Sequence, residues 1–197
     1  MNDQALSPAE YQISAIDRLR DLSAFDIPTR IENMTTASGI AMPRQFGRAV
    51  IREGNYDEDD RVIGRIGPRT QHQNLIKNQQ TSVKLIEDSG IDLTDCKITD
   101  TVFDDGARAR RQIELPRYIV EPQVGDITRF MLDIYDSQNN TWAFQITFTA
   151  MRLWCLNGCT SPSFQIRVYN KHGQSTTNMV DGVAAIAHAV EQFGERE

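Results

Sequence analysis

Three arginines near the middle of the chain are the residues most able to bind a ligand. Arg108, Arg110 and Arg111 lie in a segment with strand-like alternation, and side chains two residues apart on a strand share a face at a spacing of about 7 Å. Guanidinium groups at that spacing match successive phosphates of a single nucleic-acid strand. The alternative is a solvated strand face, on which the arginines pair with neighbouring acids and contribute little stability. Those acids are Asp104, Asp105 and Glu114.

Basic and aromatic residues elsewhere in the chain could extend this row into a groove. The basic residues are Lys77 and Lys84 on a predicted helix, and Arg167 and Lys171 at a later predicted strand. The aromatic rings on which bases could stack are those of Phe103, Tyr118 and Trp154.

Residues 142–158 predict one long, half-buried strand that ends in a polar turn. Apolar and polar residues alternate from Phe144 to Ala150, which is the period of a strand with one buried face. Arg152 then falls on the apolar side of that register. Because an unpaired guanidinium in a core costs several kcal/mol, we predict a buried or rim ion pair for Arg152 first, and ligand binding second.

The sequence contains no recognisable catalytic constellation. The motifs of serine hydrolases, zinc proteases, P-loops and dinucleotide-binding folds are all missing. Cys155, Cys159 and His172 resemble part of a zinc site, but no second close pair of ligands accompanies them, which favours turn and strand-end roles. We therefore predict a protein that is not an enzyme and that uses no metal or cofactor.

Composition indicates a globular protein without a membrane span. The chain has 197 residues, of which 40% are hydrophobic and 24% charged, and no apolar run approaches the roughly 20 residues that cross a bilayer. The N-terminus lacks the pattern of a secretory signal, so we expect a cytoplasmic protein. The net charge of -6 disfavours non-specific DNA binding, although residues 61–117 hold 10 basic residues against 8 acidic ones.

Periodicity and turn signals predict an α+β fold, with a mostly antiparallel sheet and helices packed on one side. We divide the chain into an N-terminal helical arm, residues 1–45, and an α+β core domain, residues 46–197. Asp104–Gly106 is the clearest hairpin turn. The predicted strands span residues 46–53, 61–67, 97–103, 108–115, 127–135, 141–154 and 164–169, and the predicted helices span about 7–22, 74–89 and 180–193.

The stretch from Arg152 to Gly158, Arg-Leu-Trp-Cys-Leu-Asn-Gly, resembles a family of phage- and plasmid-borne proteins of unknown function. The basic residues after the next strand, and the hairpin at Asp104–Gly106, are similar to the plan of that family. The resemblance covers roughly residues 45–193, and its most specific part is residues 142–172. It implies a distant analogy, in fold and genetic setting, to phage single-strand annealing proteins.

Together these features predict a DNA-binding protein of phage or plasmid origin that binds single-stranded DNA, acts in recombination or annealing, and forms a ring or filament in the host cytoplasm. The alternative is a non-enzymatic phage protein that binds and blocks or modulates a host protein. The DNA-binding residues we predict are Arg108, Arg110, Arg111, Lys77, Lys84, Arg167, Lys171 and Arg152.

Overall fold

The computed structural model describes residues 15–55, 58–72, 74–120, 127–153, 160–170 and 181–188. Within these ranges the chain forms two antiparallel sheets, of three and five strands, together with helical segments. The predicted α+β class is confirmed. In this part of the chain no helix has the length and apolar character that crossing a membrane requires.

The small sheet is formed by three strands in sequential order. These are β1 (Thr29–Asn33), β2 (Arg48–Arg52) and β3 (Arg61–Ile66). β2 and β3 match predicted strands, whereas β1 lies inside the predicted N-terminal arm, where the sequence has no clear period. Antiparallel pairing with β2 supplies the ladder hydrogen bonds of β1, so this strand depends on tertiary context more than on local propensity. The division of the chain at residue 45 stays a prediction.

The large sheet is an antiparallel meander whose strands follow each other in chain order. Its strands are β4 (Lys97–Phe103), β5 (Arg108–Val120), β6 (Thr128–Ser137), β7 (Phe144–Leu153) and β8 (Thr160–Asn170). The alternation of apolar and polar residues in these segments explains why the sequence predicts strands at 97–103, 108–115, 127–135, 141–154 and 164–169. β5 continues beyond its predicted end at Leu115, past Pro116.

Helices cover one face of the large sheet. They are α1 (residues 15–20), α2 (Leu75–Asp88) and α3 (residues 181–188). The side chain of Asn74 caps α2 by accepting a hydrogen bond from the backbone N–H of Ile76 at 2.9 Å. The core between helices and sheet includes Leu19 of α1, Ile86 of α2, Ile186 of α3 and, from the sheet, Ile113, Phe130, Leu132, Ile134, Ile146 and Phe148.

The small sheet contacts the large sheet at the hairpin turns that follow β4 and β6. The side-chain amide of Asn139 donates to the backbone carbonyl of Ile63 at 3.0 Å. Gln138 donates to the carbonyl of Gly106 at 3.2 Å and accepts from the Thr29 hydroxyl at 2.5 Å. These bonds fix the ends of β5 and β6, the two strands that carry most of the candidate site.

Candidate nucleic-acid interface

Three of the predicted site residues lie together on the face of the large sheet that the helices leave uncovered. On β5, Ala109 and Ile113 point to the core, so alternation places Arg108 and Arg110 on the opposite face. Cross-strand pairing connects Gln112 to Asp133, Asp133 to Thr147, and Thr147 to Arg167 on β8. We call this surface the arginine face; it is defined by Arg108, Arg110, Asp133, Tyr135 and Arg167.

Arg110 is held in place by Asp133. Its Nε and Nη2 donate to Oδ1 of Asp133 at 2.9 and 2.7 Å, and Gln112 donates to the same oxygen at 3.2 Å. The Arg110 guanidinium also lies 5.6 Å from the centre of the Tyr135 ring, within the range of a cation–π contact. The side chain of Arg110 is 33% exposed. Its guanidinium is therefore preorganised and partly accessible to an anion.

Arg108 belongs to an aromatic cluster at the hairpin end of the same face. Its guanidinium lies 4.6 Å from the centre of the Trp142 ring, and its Nε donates to Asp104 at 2.5 Å. Phe103 and Tyr135 approach the Trp142 ring edge to face, with centroids at 5.6 and 5.5 Å. The face thus combines guanidinium groups with aromatic rings, the two kinds of group that bind phosphates and bases of single strands.

The pKa of the Tyr135 phenol responds to the charges on the arginine face. Burial raises the pKa of Tyr135 above its usual value, and the carboxylate of Asp133 acts in the same direction. Arg110 and Arg167 oppose this shift. Both guanidinium groups therefore act electrostatically on one ring, although Arg110 is on β5 and Arg167 is on β8.

Thr147 contributes a buried hydroxyl to the centre of the face. It is 2% exposed, and its Oγ1 has no hydrogen-bond partner in the described part of the chain. A buried hydroxyl without a partner is costly. Its neighbours across the strands are Asp133 and Arg167. The hydroxyl therefore lies between an acidic and a basic residue of the arginine face.

Arg111 lies on the face opposite Arg108 and Arg110 and is buried, so the prediction that it holds phosphates is wrong. Alternation turns it to the core face, where it is 0% exposed. Its Nε and Nη2 donate to the two carboxylate oxygens of Asp100 at 2.7 and 2.8 Å, and it also donates to the carbonyls of Leu19 and Asp21. A guanidinium with these partners cannot contact a phosphate.

The two predicted lysines lie on the other side of the molecule from the arginine face. Lys77 and Lys84 are exposed positions of α2, and α2 packs on the core face through Val83 and Ile86. They cannot extend the row formed by Arg108 and Arg110.

Other predicted site residues have separate positions. Arg152 lies on β7, and its backbone pairs with Thr128 of β6 and Ser161 of β8. Tyr118 lies on β5, and its hydroxyl accepts from the backbone N–H of Asp92 at 2.9 Å. The positions outside the described residues are Lys171, Trp154, Cys155, Cys159 and His172.

Sequence reasoning missed Asp133, Tyr135 and Trp142. Tyr135 and Trp142 border the turn between two predicted strands. Only the pairing register places Tyr135 beside Arg110, and only the ring contacts place Trp142 beside Arg108 and Tyr135. The described residues contain no group of three or more His, Cys, Asp or Glu side chains that could hold a metal ion.

A second polar group lies inside the core. Asp136 is 0% exposed and accepts hydrogen bonds from the side chain of Asn78 at 2.9 Å and from the backbone N–H of Ser137 at 2.8 Å. Burial raises the pKa of Asp136 to about 7, against the effect of these two bonds. This carboxyl therefore titrates near neutral pH within the fold.

Comparison of the chain with family models, with curated proteins and with solved structures finds no match in any of the three.

Proposed function

We propose that this protein binds single-stranded DNA on the arginine face, as a phage- or plasmid-encoded recombination or annealing factor acting in the host cytoplasm. The observation that carries the proposal is the convergence of Arg108, Arg110 and Arg167 with the rings of Tyr135 and Trp142 on one side of a sheet. Phosphates are held by guanidinium groups and bases by aromatic faces, without sequence readout.

The acidic residues on this face set the strength of binding. Asp104 and Asp133 each pair with an arginine, so a phosphate gains a guanidinium that is oriented but partly neutralised. The overall charge of -6 also opposes the approach of DNA. We expect binding that is moderate at low salt and weakens steeply as salt rises.

Removal of the exposed guanidinium groups tests this proposal. Arg110→Gln and Arg167→Gln should each weaken binding of a fluorescein-labelled dT20 roughly three- to tenfold, because a charge-assisted phosphate contact is lost. Each should also reduce the slope of log Kd against log salt by about 1. Fluorescence anisotropy across a salt series measures both quantities.

Two lysines on the helical side provide matched controls for this experiment. Lys77→Gln and Lys84→Gln remove the same charge from exposed positions of α2, and we expect dT20 affinity within twofold of the wild type. Equal losses in the arginine and lysine variants would mean that only net charge matters. Absence of dT20 binding by the wild-type protein at low salt would refute the proposal.

Neutralising Asp133 should have the opposite effect. In Asp133→Asn the Arg110 guanidinium loses its carboxylate partner, and the face gains one positive charge. We expect dT20 to bind roughly two- to fivefold more tightly, with a salt slope steeper by about 1. Circular dichroism must show a folded variant. Weaker binding by a folded Asp133→Asn protein would show that orientation of Arg110 matters more than its charge.

The second candidate function is binding and modulation of a host protein. Large apolar side chains are exposed in or beside the small sheet: Val62 is 71% exposed, Ile40 66% and Phe46 47%. Exposed apolar groups of this size favour protein contacts when they form one patch. A wild-type protein that does not bind dT20 but binds a host protein through these residues would establish this function instead.

Self-association is part of the first proposal. In the described sheet the outer strands are β4 and β8, and an outer strand can pair with a strand of another copy. Light scattering with and without dT20 would measure the size of the assembly.

A further inference from the structure

A cavity on the large sheet lies where pairing of β5 with β6 is interrupted. Leu115 pairs with Phe130, but the next pair is Val120 with Thr128, so residues 116–119 face a single residue, Arg129. An insertion of this kind bends the longer strand away from its partner. Pro116 begins the inserted segment and has no N–H to donate to a ladder. The ladder between β5 and β6 is therefore interrupted over these residues, which leaves a gap between the two strands.

The gap encloses about 250 Å³, and the described residues that line it are Glu114, Leu115, Pro116, Arg129, Phe130 and Met131. The pairing register puts Glu114, Arg129 and Met131 on the same side as Arg110 and Tyr135. These three residues open the cavity toward the arginine face, whereas Leu115 and Phe130 are buried and form its apolar floor. Its charged lining residues are Glu114 and Arg129, one of each sign.

Arg129 has the properties of an anion-binding residue. It is exposed, and it forms no ion pair within 4 Å in the described part of the chain, unlike Arg108 and Arg110. A ligand that fits here has a flat apolar part for the cavity and a negative charge for Arg129. The volume is just below the roughly 300 Å³ at which pockets for drug-sized ligands begin, which suits a single ring system.

We infer that this cavity, the cleft, holds one base of the bound DNA strand, and that Arg129 holds the adjoining phosphate. This inference rests on the proposed function. Arg129 is six residues from Tyr135 along β6, a distance of about 20 Å. The strand would then run along β6 from the Trp142 cluster, past Arg110 and Arg167, to the cleft. That path occupies on the order of four nucleotides, the low end for a small stacking platform.

The cleft is tested by comparing the binding of two DNA strands, one with bases and one without. Labelled dT6 and a hexamer of abasic deoxyribose phosphates have the same backbone charge, and we expect the wild-type protein to prefer dT6 at least fivefold, since stacked bases add affinity. Met131→Glu replaces an apolar wall of the cleft by a second carboxylate, opposite Glu114, and should reduce this preference at least threefold. The control Thr99→Glu adds the same charge at an exposed position of β4 on the arginine face, and should weaken both strands while leaving their ratio unchanged.

Photocrosslinking keeps the inference testable if Met131→Glu does not fold. A hexamer of 5-iododeoxyuridine, irradiated on the wild-type protein, should crosslink to the peptide that contains residues 129–131. Crosslinks that are confined to the peptides of Tyr135 and Trp142 would overturn the cleft while leaving the proposed function intact, as would an unchanged ratio in a folded Met131→Glu protein. Absence of salt-sensitive binding of either hexamer would overturn both.

Discussion

Arg111→Met should be the most destabilising single substitution at the sites described, lowering the free energy of unfolding by about 3–5 kcal/mol. The guanidinium is fully buried, forms two hydrogen bonds with Asp100, and donates to the carbonyls of Leu19 and Asp21 at 2.6 and 2.5 Å. The Leu19 carbonyl belongs to the last turn of α1 and the Asp21 carbonyl directly follows the helix, where no intrahelical donors remain. A methionine would leave the carboxylate and both carbonyls without their donor.

The loss in the free energy of unfolding distinguishes a buried, fully hydrogen-bonded arginine from one that is partly exposed. Arg108→Met is the matched control, because the side chains of Arg108 and Asp104 are 30% and 54% exposed and partly exposed ion pairs contribute about 1 kcal/mol or less. Urea unfolding measures both variants, and the melting temperature of Arg111→Met should fall by roughly 10 °C. Equal stabilities of Arg108→Met and Arg111→Met would contradict the buried network.

A second substitution separates the contribution of the Arg111–Asp100 ion pair from that of the hydrogen bonds that Arg111 donates to backbone carbonyls. Asp100→Asn removes the charge that Arg111 neutralises, so the double variant Asp100→Asn, Arg111→Met should be more stable than the sum of the two single losses predicts. Arg111→Lys should recover only part of the loss, because an ammonium group cannot donate to Asp100 in the bidentate geometry and reach both carbonyls.

Arg111 also shows how far the sequence could predict the site. Alternation placed Arg108 and Arg110 on one strand face correctly, and the same alternation puts Arg111 on the other. Composition alone could not show that the other face is covered by α1, whose carbonyls need donors. The sequence prediction therefore groups Arg111 with Arg108 and Arg110, although its position on the strand places it on the opposite face.

The fold was more predictable than the site. β4 to β8 are defined by local alternation and by hairpin turns such as Asp104–Gly106, which are properties of neighbouring residues. The arginine face depends on which residues are opposite one another across strands, such as Asp133 beside Arg110. That register follows from the whole sheet, and so does the gap beside Pro116, since nothing local shows that residues 116–119 face Arg129 alone.

Asp136 is the residue whose ionisation should dominate the pH dependence of stability near neutrality. Its folded-state pKa is about 7, above the value of about 4 expected in the unfolded chain. The folded protein therefore binds this proton more tightly, and ionisation of Asp136 costs stability. The cost is absent below about pH 4, grows as pH rises toward 7, and reaches about 4 kcal/mol above that.

Other groups titrate in the same range, which makes the difference between variants the useful quantity. Burial lowers the pKa of His72, so the folded protein favours its neutral form and His72 costs stability as pH falls below its unfolded value. That dependence is opposite in sign to the one expected from Asp136. Because His72 is unchanged in an Asp136 variant, its contribution cancels when the two proteins are compared at each pH.

Asp136→Asn should therefore be more stable than the wild type at pH 8, by about 2–4 kcal/mol, and this advantage should shrink by more than half at pH 5. The neutral amide keeps the bond from the Ser137 N–H, and rotation of the Asn78 amide presents its oxygen to the new NH2 group. Urea unfolding between pH 5 and pH 8 measures the difference. Asp133→Asn, on the same strand but paired with Arg110 on the arginine face, should not flatten the profile. A profile for Asp136→Asn that runs parallel to that of the wild type would mean that the buried carboxyl does not take up a proton in this range, and that its neighbours in α2 and β6 stabilise the charged form.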